Sequence, residues 1–175
     1  MGGYSAEAKA LRHALSIAID EEEFIQIFLN GRAQVAQTPI PPGISGSDLV
    51  PYNAFVYEKD EQGRVRRKSI ADAKALLAKA GYPDGIDPKT GRPLVLHLDD
   101  VSSGGPDAKA QFAWMQKQFK KLGISLVIRA TQYNRFQEKM RNGQAQLFKW
   151  GWNADYPDPE NFLFLLYGPN AKVHS

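Results

Sequence analysis

The sequence contains no cysteine. This absence excludes a disulfide framework, a thiolate metal site and a cysteine nucleophile, although it leaves the redox compartment open. The 175 residues also contain no apolar run near the roughly 20 residues that a membrane-crossing helix needs. The start, "MGGYSAEAKA", has neither the basic nor the apolar region of a secretory signal. We interpret residues 1–3 as a cloning remnant.

The chain also has no large excess of charge of either sign. There are 22 Lys and Arg against 19 Asp and Glu, which gives a formal charge of +3. The longest basic cluster, "RVRRK" at 64–68, follows the polar stretch "EKDEQGR" and is interpreted as a solvated loop. Nucleic-acid-binding proteins usually gather basic residues on one face, so we expect no nucleic-acid partner. The hydrophobic fraction of 43% is that of a globular domain with a real core.

Motifs for metal or nucleophilic chemistry are missing as well. His13, His97 and His174 have no second ligand at metal-binding spacing, and no H-E-x-x-H or nucleophile elbow occurs. The stretch "SSGGPD" at 102–107 lacks the lysine and the spacing of a P-loop. We therefore expect no catalytic residue, no metal and no cofactor.

The sequence does carry a regular succession of helix and strand patterns. Ser5, Asp20 and Ser69 are predicted to begin helices, and Glu23 is predicted to complete a capping box with Asp20. Residues 38–53, rich in proline and glycine, form an irregular loop. The second half predicts strands at 94–99, 124–130 and 146–152 with helices between them, and the core face of the first is predicted as Phe112, Met115, Phe119 and Leu122. Connections long enough to contain a helix imply that the strands they join are parallel and that the crossovers are right-handed. This order of elements therefore predicts an α/β layered domain.

Ligands in such open sheets bind at the carboxyl ends of the strands. The predicted ends are Asp99-Asp100, Thr131-Gln132 and Gly151–Asp155. Trp150 and Trp152 lie two residues apart on a predicted strand and should share one face, with Lys149, Gly151 and Asn153 on the other. Trp150 fits a core or a cleft equally well, whereas Trp152 favours an aromatic ligand wall next to the side-chain-free Gly151.

The carboxylates leave an enzymatic alternative open. Asp155 together with Asp158, Asp99 or Asp100 would suit acid–base work on a glycosidic bond. Asp158 followed by Pro159 is also typical of a helix start, and spacing alone identifies no catalytic pair. A carbohydrate-active hydrolase thus remains an alternative, as does a nucleic-acid-binding module that uses the two tryptophans and "RVRRK".

Four phrases, in order, carry a family resemblance: "LRHALSIAID" followed by "EF", a "P-x-PPG" loop, "SIADAKALLAKAGYPDG" and "FKWGWNADYPDPENFLFLLYG". Over residues 10–170 the chain resembles the extracytoplasmic solute-binding proteins of ABC importers, peptide/nickel (family 5) class. Those proteins are longer and close two lobes over a ligand. The resemblance implies an α/β fold: a single lobe of the type II periplasmic-binding-protein-like fold, with a mixed sheet flanked by helices. Residues 4–175 would be a fragment of the C-terminal lobe.

The same resemblance implies a non-enzymatic, periplasmic transport function, with the signal peptide outside this fragment. The expected partners are a peptide or other small solute, the N-terminal lobe of the same protein and ABC permease subunits. Asp155 would pair with the ligand α-ammonium group, beside a backbone edge at Gly151, Trp152 and Asn153. The remaining expected ligand-binding positions are Lys149, Arg141, Tyr133 and Trp150.

Overall fold

The computed structural model describes residues 3–101 and 104–172. The first half contains α1 (Ala6–Ala18), α2 (Glu21–Leu29), the strands β1 (Tyr57–Lys59) and β2 (Val65–Arg67), and α3 (Ile70–Lys79). The short strands β3 (Ile86–Asp87) and β4 (Arg92–Pro93) lead into β5 (Val95–Val101), α4 (Pro106–Lys120), β6 (Ser125–Thr131), α5 (Tyr133–Arg141), β7 (Leu147–Phe148) and α6 (Glu160–Leu163). Short 3-10 turns follow at Phe164–Leu166 and Gly168–Lys172.

The central sheet confirms the predicted parallel α/β order. The strand order is β6-β5-β7, both pairings are parallel, and Leu98 lies beside Ile128 on one side and Leu147 on the other. The antiparallel pairs, β1-β2 and β3-β4, lie in separate hairpins. The predicted strand at 146–152 is wrong beyond Phe148, because the chain leaves the sheet there.

The core fills the face of the sheet that is covered by α1, α3 and α4. Its buried side chains are those of Leu11, Ala14, Leu15, Ile17, Ala18, Ala73, Leu77, Ala80, Leu96, Leu98, Phe119, Leu122, Ile124 and Leu126. Since β5 side chains alternate between faces, Asp99 points to the opposite face, where it pairs with Lys139 of α5. The helices α4 and α5 therefore cover opposite faces, as successive right-handed crossovers in reversed directions require.

Helix capping follows the sequence at all three predicted starts. The Ser5 hydroxyl accepts the Ala8 N–H, and Ser69 forms a reciprocal capping box with Asp72. Asp20 caps α2 by accepting the Glu23 N–H. The predicted reciprocal bond from Glu23 is wrong, because a stronger set of donors on α4 takes its carboxylate.

Those donors belong to Trp114 and Gln118. The Trp114 Nε1–H and the Gln118 side-chain amide donate to Glu23 Oε2 at 2.8 and 2.7 Å. Trp114 is buried, whereas the predicted core residues Phe112 and Met115 are only half-buried. The predicted Phe119 and Leu122 are buried in the core and Met115 packs against it, so the prediction missed only Trp114, whose indole reaches the Glu23 acceptor on α2.

The stretch 64–68 is not the solvated loop that its charge suggested. Val65–Arg67 forms a strand, and the Arg67 guanidinium donates to Glu22 Oε2 at 2.8 Å and to the carbonyls of Ser16, Ile17 and Ile19 at the end of α1. A cation at the carboxyl end of a helix is favoured by the helix dipole. This arginine ties the β1-β2 hairpin to the junction of α1 and α2.

One backbone crossing requires glycine on both sides. Gly85 and Gly123 both have positive φ, of 75° and 76°. A Cβ on Gly85 would clash with the backbone of residues 122–123, and a Cβ on Gly123 would clash with the Asp84 carbonyl. The turn before β3 and the turn before β6 can therefore approach only because neither residue has a side chain.

Candidate ligand-binding site

The carboxyl ends of β5, β6 and β7 meet at one edge of the sheet, because the three strands are parallel. After β7 the chain runs along this edge without regular structure until α6. We call residues 149–159 the rim segment. A backbone bond from the Lys149 N–H to the Asp99 carbonyl, at 3.1 Å, ties the start of the rim segment to β5.

Trp150 lies against α5 rather than in the core. Its ring packs edge-on to Phe136 at 5.1 Å and to Tyr133 at 6.3 Å between centroids. Phe136 is fully buried, whereas Trp150 remains 49% exposed. One side of this indole is thus supported by α5 and the rest faces solvent, which is the arrangement of an aromatic wall.

Trp152 packs on a different helix. Its ring lies edge-on to Phe164 at 5.3 Å, and its Nε1–H donates to Asn161 Oδ1 at 2.8 Å. It is 43% exposed. The two indoles were predicted to share one strand face. In the structure Trp150 packs against Phe136 and Trp152 packs against Phe164, because the strand ends before either tryptophan.

Asp155 is exposed at this rim, and its backbone N–H donates to Asn161 Oδ1 at 3.3 Å. Within residues 3–101 and 104–172, no hydrogen bond or ion pair involves its carboxylate. The backbone is therefore held while the charged oxygens stay free. A carboxylate in this state can accept charge-assisted hydrogen bonds from a cationic ligand group.

The next acidic residues serve the turn itself. Asp158 Oδ1 accepts the Glu160 N–H at 2.8 Å, and the Tyr156 hydroxyl donates to the Glu160 carboxylate. This second bond raises the pKa of Tyr156. Asp158 therefore holds the helix start, as its sequence position indicated, although α6 begins one residue later than expected, at Glu160.

Asp99 has a structural partner too. It is 1% exposed, and its Oδ1 accepts a hydrogen bond from the ammonium group of Lys139, which belongs to α5. The oxygen Oδ2 is buried without a partner, as is Oγ1 of Thr131 on the neighbouring strand. Of the carboxylates proposed for a hydrolase pair, Asp99 is sealed beneath α5 and Asp158 is bonded within its turn. The third, Asp100, is half-buried at the end of β5, and burial raises its pKa.

Lys149 lies beside α2. Its Nζ lies 5.4 Å from the centroid of the Phe24 ring. Desolvation raises the pKa of Glu21 and of Asp100; the charges of Arg67 and Lys149 oppose the shift at Glu21, and that of Lys149 opposes it at Asp100. Lys149 thus favours the ionised form of both carboxyl groups. It also lines a cleft of about 660 Å³ between α1, α2, α4 and β7, whose lining includes Trp150 but not Asp155.

The remaining predicted positions divide into two groups. Gly151 and Asn153 are exposed on the rim segment, and a Cβ added at Gly151 would meet no atom within 4 Å, so its backbone is open to approach. Tyr133, 52% exposed, begins α5 at the same edge. Arg141 ends α5, about 12 Å further along the helix. The structure therefore brings Tyr133, but not Arg141, to the rim.

Two residues of this region were not singled out from the sequence. They are Asn161 and Lys139. No signal in the sequence marks Asn161 as buried, because it lies between Glu160 and the apolar run that begins at Phe162. No signal marks Lys139 either, because its partner Asp99 is 40 residues away in sequence.

Among residues 3–101 and 104–172, no helix is long and apolar enough to cross a membrane. The same residues contain no group of three or more His, Cys, Asp or Glu side chains suited to holding a metal ion.

A parallel α/β layer with exposed aromatic and acidic residues after its third strand fits the solute-binding lobe that the sequence led us to expect. The family described as bacterial extracellular solute-binding proteins, family 5 (middle region), matches residues 5–173. The chain belongs to this family.

Its relatives bind chemically different solutes. The chain is 25% identical to the oligopeptide-binding protein OppA of Bacillus subtilis, over 96% of this chain and 30% of that protein. It is 31% identical to the nickel-binding periplasmic protein of Escherichia coli K12, over 92% of this chain and 29% of that protein. The chain thus spans about 30% of the length of the curated relatives it matches.

Solved structures agree with the sequence relatives. The periplasmic binding protein DppA of Helicobacter pylori, solved with the peptide STSA, is 25% identical and superposes with a TM-score of 0.68, over 92% of this chain and 27% of that one. This similarity confirms the expected α/β fold, and the matching part is about a quarter of the DppA chain.

Proposed function

We propose that the chain is a lobe of an ABC-importer binding protein that captures a peptide or a related small solute in the periplasm and delivers it to a membrane permease. Ligand would lie on the rim segment, with its positive end at Asp155. Closure of an N-terminal lobe over it, by a hinge motion, would complete the cleft. Residues 4–175 would form one side of that cleft.

The observation that carries the proposal is the state of Asp155. Its carboxylate is exposed and free of internal partners, while its backbone is fixed by Asn161. An ammonium group of a ligand would satisfy it, and closure would remove water from the pair and strengthen it. The open backbone at Gly151 adds an edge for main-chain pairing, which gives affinity independent of side-chain identity.

The structural support for a ligand contact differs among the remaining predicted positions, which are Lys149, Asn153, Tyr133 and Arg141. Tyr133 and Asn153 are exposed at the same edge as Asp155 and stay in the proposed site. Lys149 faces α2, so it would contact only a ligand that extends toward Phe24. Arg141 would require a ligand that reaches along α5, and we place it outside the proposed contact set.

Titration of the ¹⁵N-labelled chain with trialanine tests this proposal. We expect chemical-shift changes in the backbone amides of residues 151–155 and in the Trp152 indole, and a weaker response to N-acetyl-trialanine, which lacks the ammonium group. Asp155→Asn should abolish the difference between the two peptides. Equal responses to both peptides in the unmodified chain would remove Asp155 as the amine anchor.

A further inference from the structure

Asn161 is a buried polar side chain that hydrogen-bonds to the rim segment from outside it. It lies in the first turn of α6 and is 2% exposed. Its Oδ1 accepts two hydrogen bonds, from the Trp152 Nε1–H at 2.8 Å and from the Asp155 N–H at 3.3 Å. A single buried oxygen therefore connects Trp152 to Asp155.

Asn161 is itself held in place by the turn. Its backbone N–H donates to the Asp158 carbonyl at 3.1 Å, and the Glu160 N–H beside it is bonded to the Asp158 side chain at 2.8 Å. The turn and the start of α6 thus present the amide oxygen to the rim segment from a fixed position.

The rim segment depends on this oxygen because few other hydrogen bonds hold the segment in place. The strand ladder of β7 ends at Phe148, and the last bond to β5 is made by the Lys149 N–H. Without Asn161 Oδ1, the Trp152 indole would keep its edge contact with Phe164 but lose its polar partner. The Asp155 N–H would lose its acceptor as well, so the backbone that carries the Asp155 carboxylate would no longer be held in place.

We propose that Asn161 is a positioning residue for ligand capture, which orients Trp152 and Asp155 together. An acceptor oxygen at this point is the requirement, not an asparagine as such. The ligand-binding part of this inference rests on the proposed function, whereas the link between Asn161, Trp152 and Asp155 does not.

Three variants of the full chain test the inference. Asn161→Leu keeps the volume and removes the acceptor, Asn161→Asp keeps an acceptor, and Asn142→Leu makes the same chemical change at an exposed asparagine at the end of α5. Hydrogen exchange of the Trp152 indole and the Asp155 amide is followed by ¹⁵N NMR, with the Leu98 amide of β5 as an internal reference. Trialanine titration is repeated on each variant.

We expect both reporter protons of Asn161→Leu to exchange roughly tenfold faster, as the loss of one hydrogen bond predicts, with the Leu98 amide unchanged and the trialanine response lost. Asn161→Asp should restore both, and Asn142→Leu should behave like the unmodified chain. Unchanged exchange in Asn161→Leu would overturn the link. Faster exchange with an unchanged peptide response would overturn the positioning role.

Two further outcomes keep the result decisive. If Asn161→Leu fails to fold, Asn161→Asp still decides, because loss of indole protection in that variant contradicts the requirement for an acceptor. If the unmodified chain shows no trialanine response at all, the proposed function fails, while the exchange measurements continue to test the link between the three residues.

Discussion

The two aspartates at the carboxyl edge of the sheet, Asp99 and Asp155, have opposite surroundings. Asp99 is buried under α5 and paired with Lys139. Asp155 is exposed, and only its backbone is bonded. A buried carboxylate needs a permanent partner, since an unpaired charge in the interior is costly. An exposed one can wait for a partner, and this is why Asp155, rather than Asp99, is suited to ligand capture.

A similar contrast separates the crossing of Gly85 and Gly123 from the rim segment. At the crossing, the two backbone turns leave no room for an additional atom. On the rim segment, two half-exposed indoles and an open glycine backbone leave surface uncovered. Substitutions should therefore alter stability in the first region and binding in the second.

The largest effect is expected at the glycine crossing. Gly123→Ala places a Cβ against the Asp84 carbonyl and forces a positive φ on alanine, so it should lower the free energy of unfolding by more than about 2 kcal/mol. Urea denaturation measures the change. Gly168→Ala is the matched control, because a Cβ there meets no atom within 4 Å. Equal midpoints for the two variants would contradict the close approach.

A smaller, pH-dependent effect is expected where the β1-β2 hairpin joins the helices. Burial alone would raise the pKa of Glu22, but hydrogen bonds from Tyr57 and the charge of Arg67 hold it below its ordinary value of 4.5. The same contact with Glu22, together with burial, raises the pKa of Tyr57 to about 12. A depressed carboxylate pKa stabilises the fold above the unfolded value, and this contribution is lost as pH falls through the folded value.

Glu22→Gln should therefore reduce stability at pH near 6 by no more than about 1 kcal/mol, since the Glu22 side chain is 46% exposed and solvent screens the pair. The difference between Glu22→Gln and the unmodified chain should shrink at pH near 3. Urea midpoints at the two pH values provide the measurement. A difference that is the same at both would show that the charge on Glu22 is not what Arg67 and Tyr57 recognise.

The smallest effect on stability, but a clear effect on binding, is expected at Gly151. Gly151→Ala adds a methyl group to open space, so the free energy of unfolding should stay within about 0.5 kcal/mol of the unmodified chain. The methyl group would stand where a ligand backbone approaches, and trialanine binding should weaken by about 1 kcal/mol. Gly168→Ala again serves as control. An unchanged trialanine titration would remove the backbone edge at Gly151 from the proposed site.

The contrast should sharpen further in a protein that contains both lobes. There the ion pair between Asp155 and a ligand ammonium would lose its water on closure, and Asp155→Asn is expected to weaken peptide binding by about 2–4 kcal/mol. In the chain alone the same pair stays solvated, and its loss should cost at most about 1 kcal/mol. Calorimetry with trialanine measures both values, and equal losses would argue against closure over Asp155.

Local signals in the sequence predicted many elements well. Ser5, Asp20 and Ser69 begin helices as predicted, and the three parallel strands follow the expected order. These features depend on residues within one or two turns of each other or on the length of a crossover. The wrong prediction at Glu23, by contrast, involves residues distant in sequence that compete for the same carboxylate.

The sequence by itself determined the α/β class, the helix starts and the position of an acidic, aromatic segment after the third strand, because periodicity, caps and chain order are local properties. Only the tertiary structure decided how the groups of that segment are used. Glu23 is taken by Trp114, Asp99 is paired with Lys139, and one oxygen of Asn161 holds Trp152 and Asp155. A hydrogen-bonding group goes to whichever partner the fold brings within reach, and that distance is set by packing rather than by position in the chain.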